Sequence, residues 1–111
     1  SSSLTGASAG QLAQGFTQAT GKQWTQTLGF VHALFELAVD ILKRTEEVGN
    51  AHAVRDALLK TNLNTVVGPI NWNGGPVKNV AKTPLVSGQW RLGNDNKYDL
   101  VVTSNATARR S

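Results

Sequence analysis

Leu28-Gly29-Phe30-Val31-His32-Ala33-Leu34-Phe35-Glu36-Leu37-Ala38-Val39-Asp40-Ile41-Leu42 is the stretch on which the fold turns. Val31, Leu34, Phe35, Ala38, Ile41 and Leu42 recur in it at three- and four-residue intervals, so the segment from Leu28 to Arg44 is expected to be a helix. Phe30, Leu37 and Val39 widen the apolar stripe until His32, Glu36, Asp40 and Lys43 remain as a narrow polar edge. A helix apolar around most of its circumference is buried on more than one side. A chain of 111 residues buries only about two-thirds of its unfolded surface and scarcely supplies that cover. The helix is therefore expected to lie against sheet encoded elsewhere.

Upstream of this rod, residues 1–7 are rich in Ser, Thr, Gly and Ala and read as a flexible N-terminus. Ser8 with Gln11 has the spacing of a capping box, and Ala9, Leu12, Ala13 and Phe16 share one face of a short helix that Gly21 ends. Downstream, Glu46, Glu47 and Gly49 form a break, Asn50 is an N-cap, and Ala51 to Lys60 make a third helix with Val54, Ala57 and Leu58 inward. After Asn62 the composition shifts to β-branched residues and turn formers. Residues 65–72 read as one strand bent at Gly68-Pro69, and Asn73-Gly74-Gly75-Pro76 as a turn. Leu85 to Leu92 and Tyr98 to Thr103 read as a hairpin around Gly93-Asn94-Asp95-Asn96. A self-contained parallel α/β domain alternates strand and helix from its start, whereas three helices arrive here before any strand. The order fits either a small α+β domain or helices that cover strands encoded upstream, and the greasy second helix favours the latter.

The 40% hydrophobic and 16% charged composition is that of a folded protein. The net charge of +4 is lopsided: five basic residues balance five acidic ones up to Thr61, and the whole excess lies beyond Asn62, widely spaced. Only Arg109-Arg110 forms a tight basic pair, and phosphate binding needs cations converging on one face, so nucleic acid is not an expected partner. The absence of cysteine removes disulfides, thiolate metal sites and cysteine nucleophiles together. No run approaches the ~18 apolar residues of a membrane span, so a soluble molecule is expected. Ser1-Ser2-Ser3-Leu4 carries no signal-peptide pattern, so a secretory leader is expected either to be absent or to lie outside this sequence.

Chemistry has few places to reside. His32, Glu36 and Asp40 stand four residues apart along one helical edge, a spacing compatible with metal ligation or proton sharing but more often a solvated stripe, here with Lys43 beside it. No metal site, cofactor or catalytic residue is assigned on that spacing. There is no Gly-x-Ser-x-Gly elbow and no glycine loop between strand and helix. Asn105-Ala106-Thr107 fits the glycosylation triplet, read as chance. Trp24 and Phe30 flank the start of the long helix, and each serves either the core or the flat apolar wall of a ligand cleft, with the polar groups of a helix start nearby.

Taken in order, Thr20-Gly21-Lys22-Gln23-Trp24, His32-Ala33-Leu34-Phe35-Glu36, Val54-Arg55-Asp56-Ala57-Leu58 and Thr65-Val66-Val67-Gly68-Pro69-Ile70-Asn71-Trp72 resemble the branched-chain amino acid type of periplasmic binding protein. The run Val77 to Val86, with Gly88-Gln89-Trp90, resembles variants of that family tied to aromatic or other organic solutes. The resemblance spans about Thr20 to Asn105, and no one motif in it is diagnostic.

It implies an α/β fold that is the C-terminal third of a bilobed periplasmic-binding-protein architecture, three helices followed by a hinge strand and a β-hairpin. Residues 8–21 and 73–105 would belong to one lobe, 28–64 to the other, 65–72 to a hinge crossing and 106–111 to a tail. The implied function is the solute-binding component of a bacterial ABC transporter for amino acids or related small organic, including aromatic, acids. Its partners would be the solute, a membrane permease, and either a second copy or the missing upstream portion. The implied location is the periplasm. The protein is expected not to be an enzyme and to need no cofactor. Trp24, Thr27, Leu28, Gly29 and Phe30 are the residues the resemblance places at the ligand, while those that normally hold a solute's carboxylate and amine are missing. The alternative is a ligand-sensing regulatory protein on the same fold.

Overall fold

The structure is a computed structural model that describes residues 1–106. The tail expected at 106–111, the Arg109-Arg110 pair and the third residue of the glycosylation triplet thus lie almost wholly outside the described residues. Three helices precede two antiparallel two-stranded sheets. The described residues form a small mixed helix and sheet domain, compatible with the α/β class expected, with both sheets antiparallel.

Helix α1, Ala9–Thr20, begins at the anticipated capping box: the Gln11 amide donates to Ser8 Oγ at 3.2 Å and the Ser8 amide to Gln11 Oε1 at 2.8 Å. It ends at Gly21, whose φ of +67° is open to glycine at no steric penalty and lets its N–H return to the Thr17 carbonyl. Helix α2, Gln26–Arg44, starts two residues before Leu28, because Thr25 is already extended and serves as N-cap position without a side-chain bond. Its last turn closes when the buried Thr45 hydroxyl donates to the Ile41 carbonyl at 2.7 Å. Helix α3, Ala51–Leu59, is capped by Asn50, whose side chain accepts from the His52 and Ala53 amides.

The stretch read as one bent strand is instead a tight hairpin. Strands β1, Asn62–Thr65, and β2, Gly68–Asn71, pair antiparallel with Asn62 opposite Asn71 and Thr65 opposite Gly68. Reversal at Val66-Val67 follows from the φ of +107° at Gly68 and from the Thr65 side chain. That hydroxyl donates to the Gly68 carbonyl at 2.8 Å and accepts from the Val67 amide at 3.3 Å. Strands β3, Ser87–Leu92, and β4, Tyr98–Ser104, form the second hairpin, closed where the Gly93 amide donates to the Lys97 carbonyl and Asn96 takes a positive φ.

Burial is concentrated in one small cluster. Leu37 and Ile41 of α2, Ala57 of α3 and Ile70 of β2 are buried, with Val54, Leu58, Leu63, Val67, Trp72 and Ala81 packed around them. Helix α1 buries no residue fully, and the β3–β4 ribbon is exposed on both faces. The radius of gyration is accordingly 16.6 Å, against about 13 Å for a compact domain of this length. On α2 the apolar face of Val31, Leu34, Phe35 and Leu42 stays uncovered, and Leu34 and Phe35 are each 64% exposed.

The N-terminal segment read as flexible is tied down. Ser2 is buried, its amide donates to the Ala7 carbonyl, and the Gly6 amide returns to the Ser2 carbonyl. Ser3 reaches Glu36 of α2 through both its amide and its hydroxyl. Small polar residues gave no apolar periodicity to betray this docking; hydrogen bonds hold the segment where hydrophobic burial does not.

Candidate functional site

An open groove of about 1220 Å³ lies between α1, the α1–α2 connection and the β3–β4 ribbon. On one side stand Gln14 and Thr17, at its base Gln23 and Trp24, and on the far side Trp90 and Leu100. Phe16 meets Trp24 edge to face, with ring centroids 5.7 Å apart and planes at 78°, which fixes the indole at the start of α2. The Gln23 side-chain amide donates to the Tyr98 carbonyl at 3.3 Å and ties the ribbon to the same corner. None of the residues on the groove walls is ionisable, so its chemistry is that of flat apolar surface with amide and hydroxyl partners.

Of the five residues singled out from the sequence, the groove takes in Trp24 alone. Thr27 is exposed on the first turn of α2, and Leu28 and Phe30 are half-buried. Gly29 is buried where the turn and the indole converge, its Cβ position lying 3.6 Å from Val67 and 3.8 Å from Trp24. Helical geometry separates them: Trp24 precedes α2 and swings toward α1, while the following turn distributes residues 27–30 around the helix axis. Trp90 and Leu100 reach the groove through the pairing of β3 with β4, in which they stand directly opposite each other. Their signal in the sequence was the strand pattern, which gives no indication of the distant wall they oppose.

The polar edge of α2 does not act as one unit. Asp40 pairs with Arg44 at 2.7 Å. His32 Nε2 lies 2.8 Å from Ser2 Oγ. Glu36, read as part of a solvated stripe, is fully buried, the least exposed large side chain described. It accepts from the Ser3 amide and hydroxyl and from the Val66 amide, the last at 2.9 Å. Burial alone would raise its pKa. The bonds from Val66 and Ser3, with His32 nearby, outweigh that penalty, and the carboxyl is held below its ordinary value. Among the described residues no group of three His, Cys, Asp or Glu is placed to hold a metal ion.

Arg44 was also not singled out beforehand. Its guanidinium donates to Asp40, to the Ala57 carbonyl at 2.8 Å and to the Thr61 hydroxyl at 3.0 Å, and so joins α2 to the C-terminal end of α3. No helix among the described residues is long and apolar enough to cross a membrane. Comparison with protein-family models, with curated proteins and with solved structures finds no match for this chain.

Proposed function

We propose that the chain serves as the C-terminal portion of a bilobed solute-binding protein of the branched-chain amino acid type, feeding amino acids or related aromatic or carboxylic acids to an ABC permease in the periplasm. Binding takes place in an interlobe cleft and closure comes from hinge motion, with no bond made or broken. In this reading 8–21 and 73–105 belong to one lobe and 28–64 to the other, with the β1–β2 hairpin packed on the latter. Trp24 contributes one aromatic wall, while Thr27, Leu28, Gly29 and Phe30 lie along the neighbouring edge of the cleft.

The observation that carries the reading is the uncovered apolar face of α2. Leu34 and Phe35 stand out into solvent in a chain whose own core is a handful of side chains. Exposed apolar faces of this kind mark surfaces meant to be covered, and in a bilobed receptor the flanking helices lie on a parallel sheet. The ordered run of sequence resemblances from Thr20 to Asn105 supports a receptor lobe as the source of that sheet.

Deleting the encoding gene in its native bacterium is expected to abolish high-affinity uptake of one solute from a panel of branched-chain amino acids, aromatic amino acids and aromatic carboxylates. Unchanged uptake across the panel would overturn the assignment. Light scattering of the purified chain is expected to give species above its 11.8 kDa mass. A lone monomer at high concentration that binds no apolar dye would remove the argument from α2.

A further inference from the structure

Three pieces of backbone far apart in sequence meet at one carboxylate. Glu36 projects from the middle of α2, and its Oε1 is engaged by the amide and hydroxyl of Ser3 while its Oε2 is engaged by the Val66 amide in the β1–β2 turn. The side chain is completely shielded from solvent. Around Ser3 the segment is a closed turn organised on Ser2, whose hydroxyl accepts from the Leu4 and Thr5 amides at 3.2 and 3.4 Å. With its lone pairs thus engaged, that hydroxyl has its own proton to offer to His32 Nε2 at 2.8 Å.

From this geometry we infer that Glu36 is a carboxylate latch, which in its ionised form clamps both the Ser1–Ala7 segment and the β1–β2 turn onto α2 and on protonation lets both go. An ionised carboxylate is acceptor-only, and all its partners here are donors. A proton on Oε1 faces the Ser3 amide and one on Oε2 the Val66 amide, donor against donor in a carboxyl shielded from solvent, and the amides then lose a charge-assisted partner.

Two ionisable side chains, Glu36 and His32, stand at the latch. Residues 1–7 bear no ionisable side chain, and neither do Val66 and Val67. On α2, Asp40 is neutralised by Arg44. His32 Nε2 takes the Ser2 hydroxyl proton, and the His32→Ala variant below separates its part from that of Glu36. The sign follows from the lowered pKa of Glu36: the stabilisation is complete above the ordinary value of 4.5 and disappears as pH falls through the lower folded-state value.

Amide hydrogen exchange by NMR tests this on the intact chain. In the wild type, protection of the Val66, Leu4 and Thr5 amides is expected to drop roughly tenfold or more between about pH 6 and about pH 3, while Ile41 within α2 stays protected. In Glu36→Gln the same three amides are expected to be unprotected at both pH values, and in His32→Ala the acid release is expected to persist. Protection of Val66 in the wild type that does not change through the Glu36 titration would overturn the latch. So would a folded Glu36→Gln variant with wild-type protection near neutrality. Should that variant fail to fold, the wild-type titration decides alone.

Discussion

Replacing Arg44 by methionine preserves the aliphatic stem and removes the guanidinium that spans α2 and α3. Three sets of contacts disappear. The Ala57 carbonyl, one of the carbonyls left over at the end of α3, loses a donor at 2.8 Å. The Thr61 hydroxyl, on a residue only 1% exposed, loses a donor at 3.0 Å and retains a marginal 3.5 Å approach to the same carbonyl. Asp40 loses its ion pair one turn away. Hydrogen bonds to charged groups contribute ~1.5–3 kcal/mol when well buried. The Arg44 side chain is 34% exposed, so water replaces part of each bond and about 1 kcal/mol apiece is appropriate for Ala57 and Thr61. The i, i+4 pair with Asp40 adds ~0.3–0.5 kcal/mol. The variant is therefore expected to lose about 2–3 kcal/mol in urea unfolding followed by far-ultraviolet circular dichroism. Arg44→Lys is expected to recover at most ~1 kcal/mol, because a single ammonium cannot reach all three partners as the planar fork does. A loss below ~0.5 kcal/mol would refute the reasoning. A double-mutant cycle with Asp40→Ala in which the Asp40 coupling accounts for the entire effect would refute the bridge to α3 specifically.

Other perturbations read other parts of the molecule. Asn50→Ala removes the acceptor for the His52 and Ala53 amides, and is expected to lower stability by ~1 kcal/mol in thermal unfolding. Gly88→Ala would place a methyl group 2.9 Å from Leu100 Cδ1 and 3.2 Å from the Val101 carbonyl oxygen. Leu100 can rotate away but the backbone cannot, so about 1 kcal/mol of ribbon stability and the Gln89–Val101 cross-strand contact should be lost, as read by nuclear Overhauser effects. Leu34→Glu with Phe35→Glu alters two side chains that stand in solvent, and is expected to change unfolding by less than ~0.5 kcal/mol each while driving the chain to monomer in light scattering. A loss of several kcal/mol there would mean that the face is covered after all.

Features whose causes are local were legible before any coordinates. Ser8 with Gln11, Gly21 and Asn50 mark helix ends because a cap acts within three or four residues of itself. The β3–β4 hairpin was visible because strand residues bracket a turn-forming loop. The 62–71 region misled for the same reason turned around. Three consecutive β-formers, Thr65, Val66 and Val67, invite an extended reading, and the reversal at Val66-Val67 depends on a Thr65 clamp and a Glu36 contact thirty residues upstream. Trp24 was identifiable as an aromatic beside a helix start, yet the wall opposite it belongs to Trp90 and Leu100, which sequence distance concealed.

From the sequence alone, then, came three helices followed by strands, the caps at Ser8, Gly21 and Asn50, and a central helix with more apolar surface than this chain covers, because helical periodicity and local hydrogen bonding are properties of neighbours along the chain. Tertiary structure alone decided that Glu36 is buried and engaged from two directions, that Arg44 ties α2 to α3, and which of the residues near Trp24 share its groove. Each of those outcomes depends on donors and walls brought from distant positions, and a polar residue at helical spacing carries no mark of whether water or another segment will meet it.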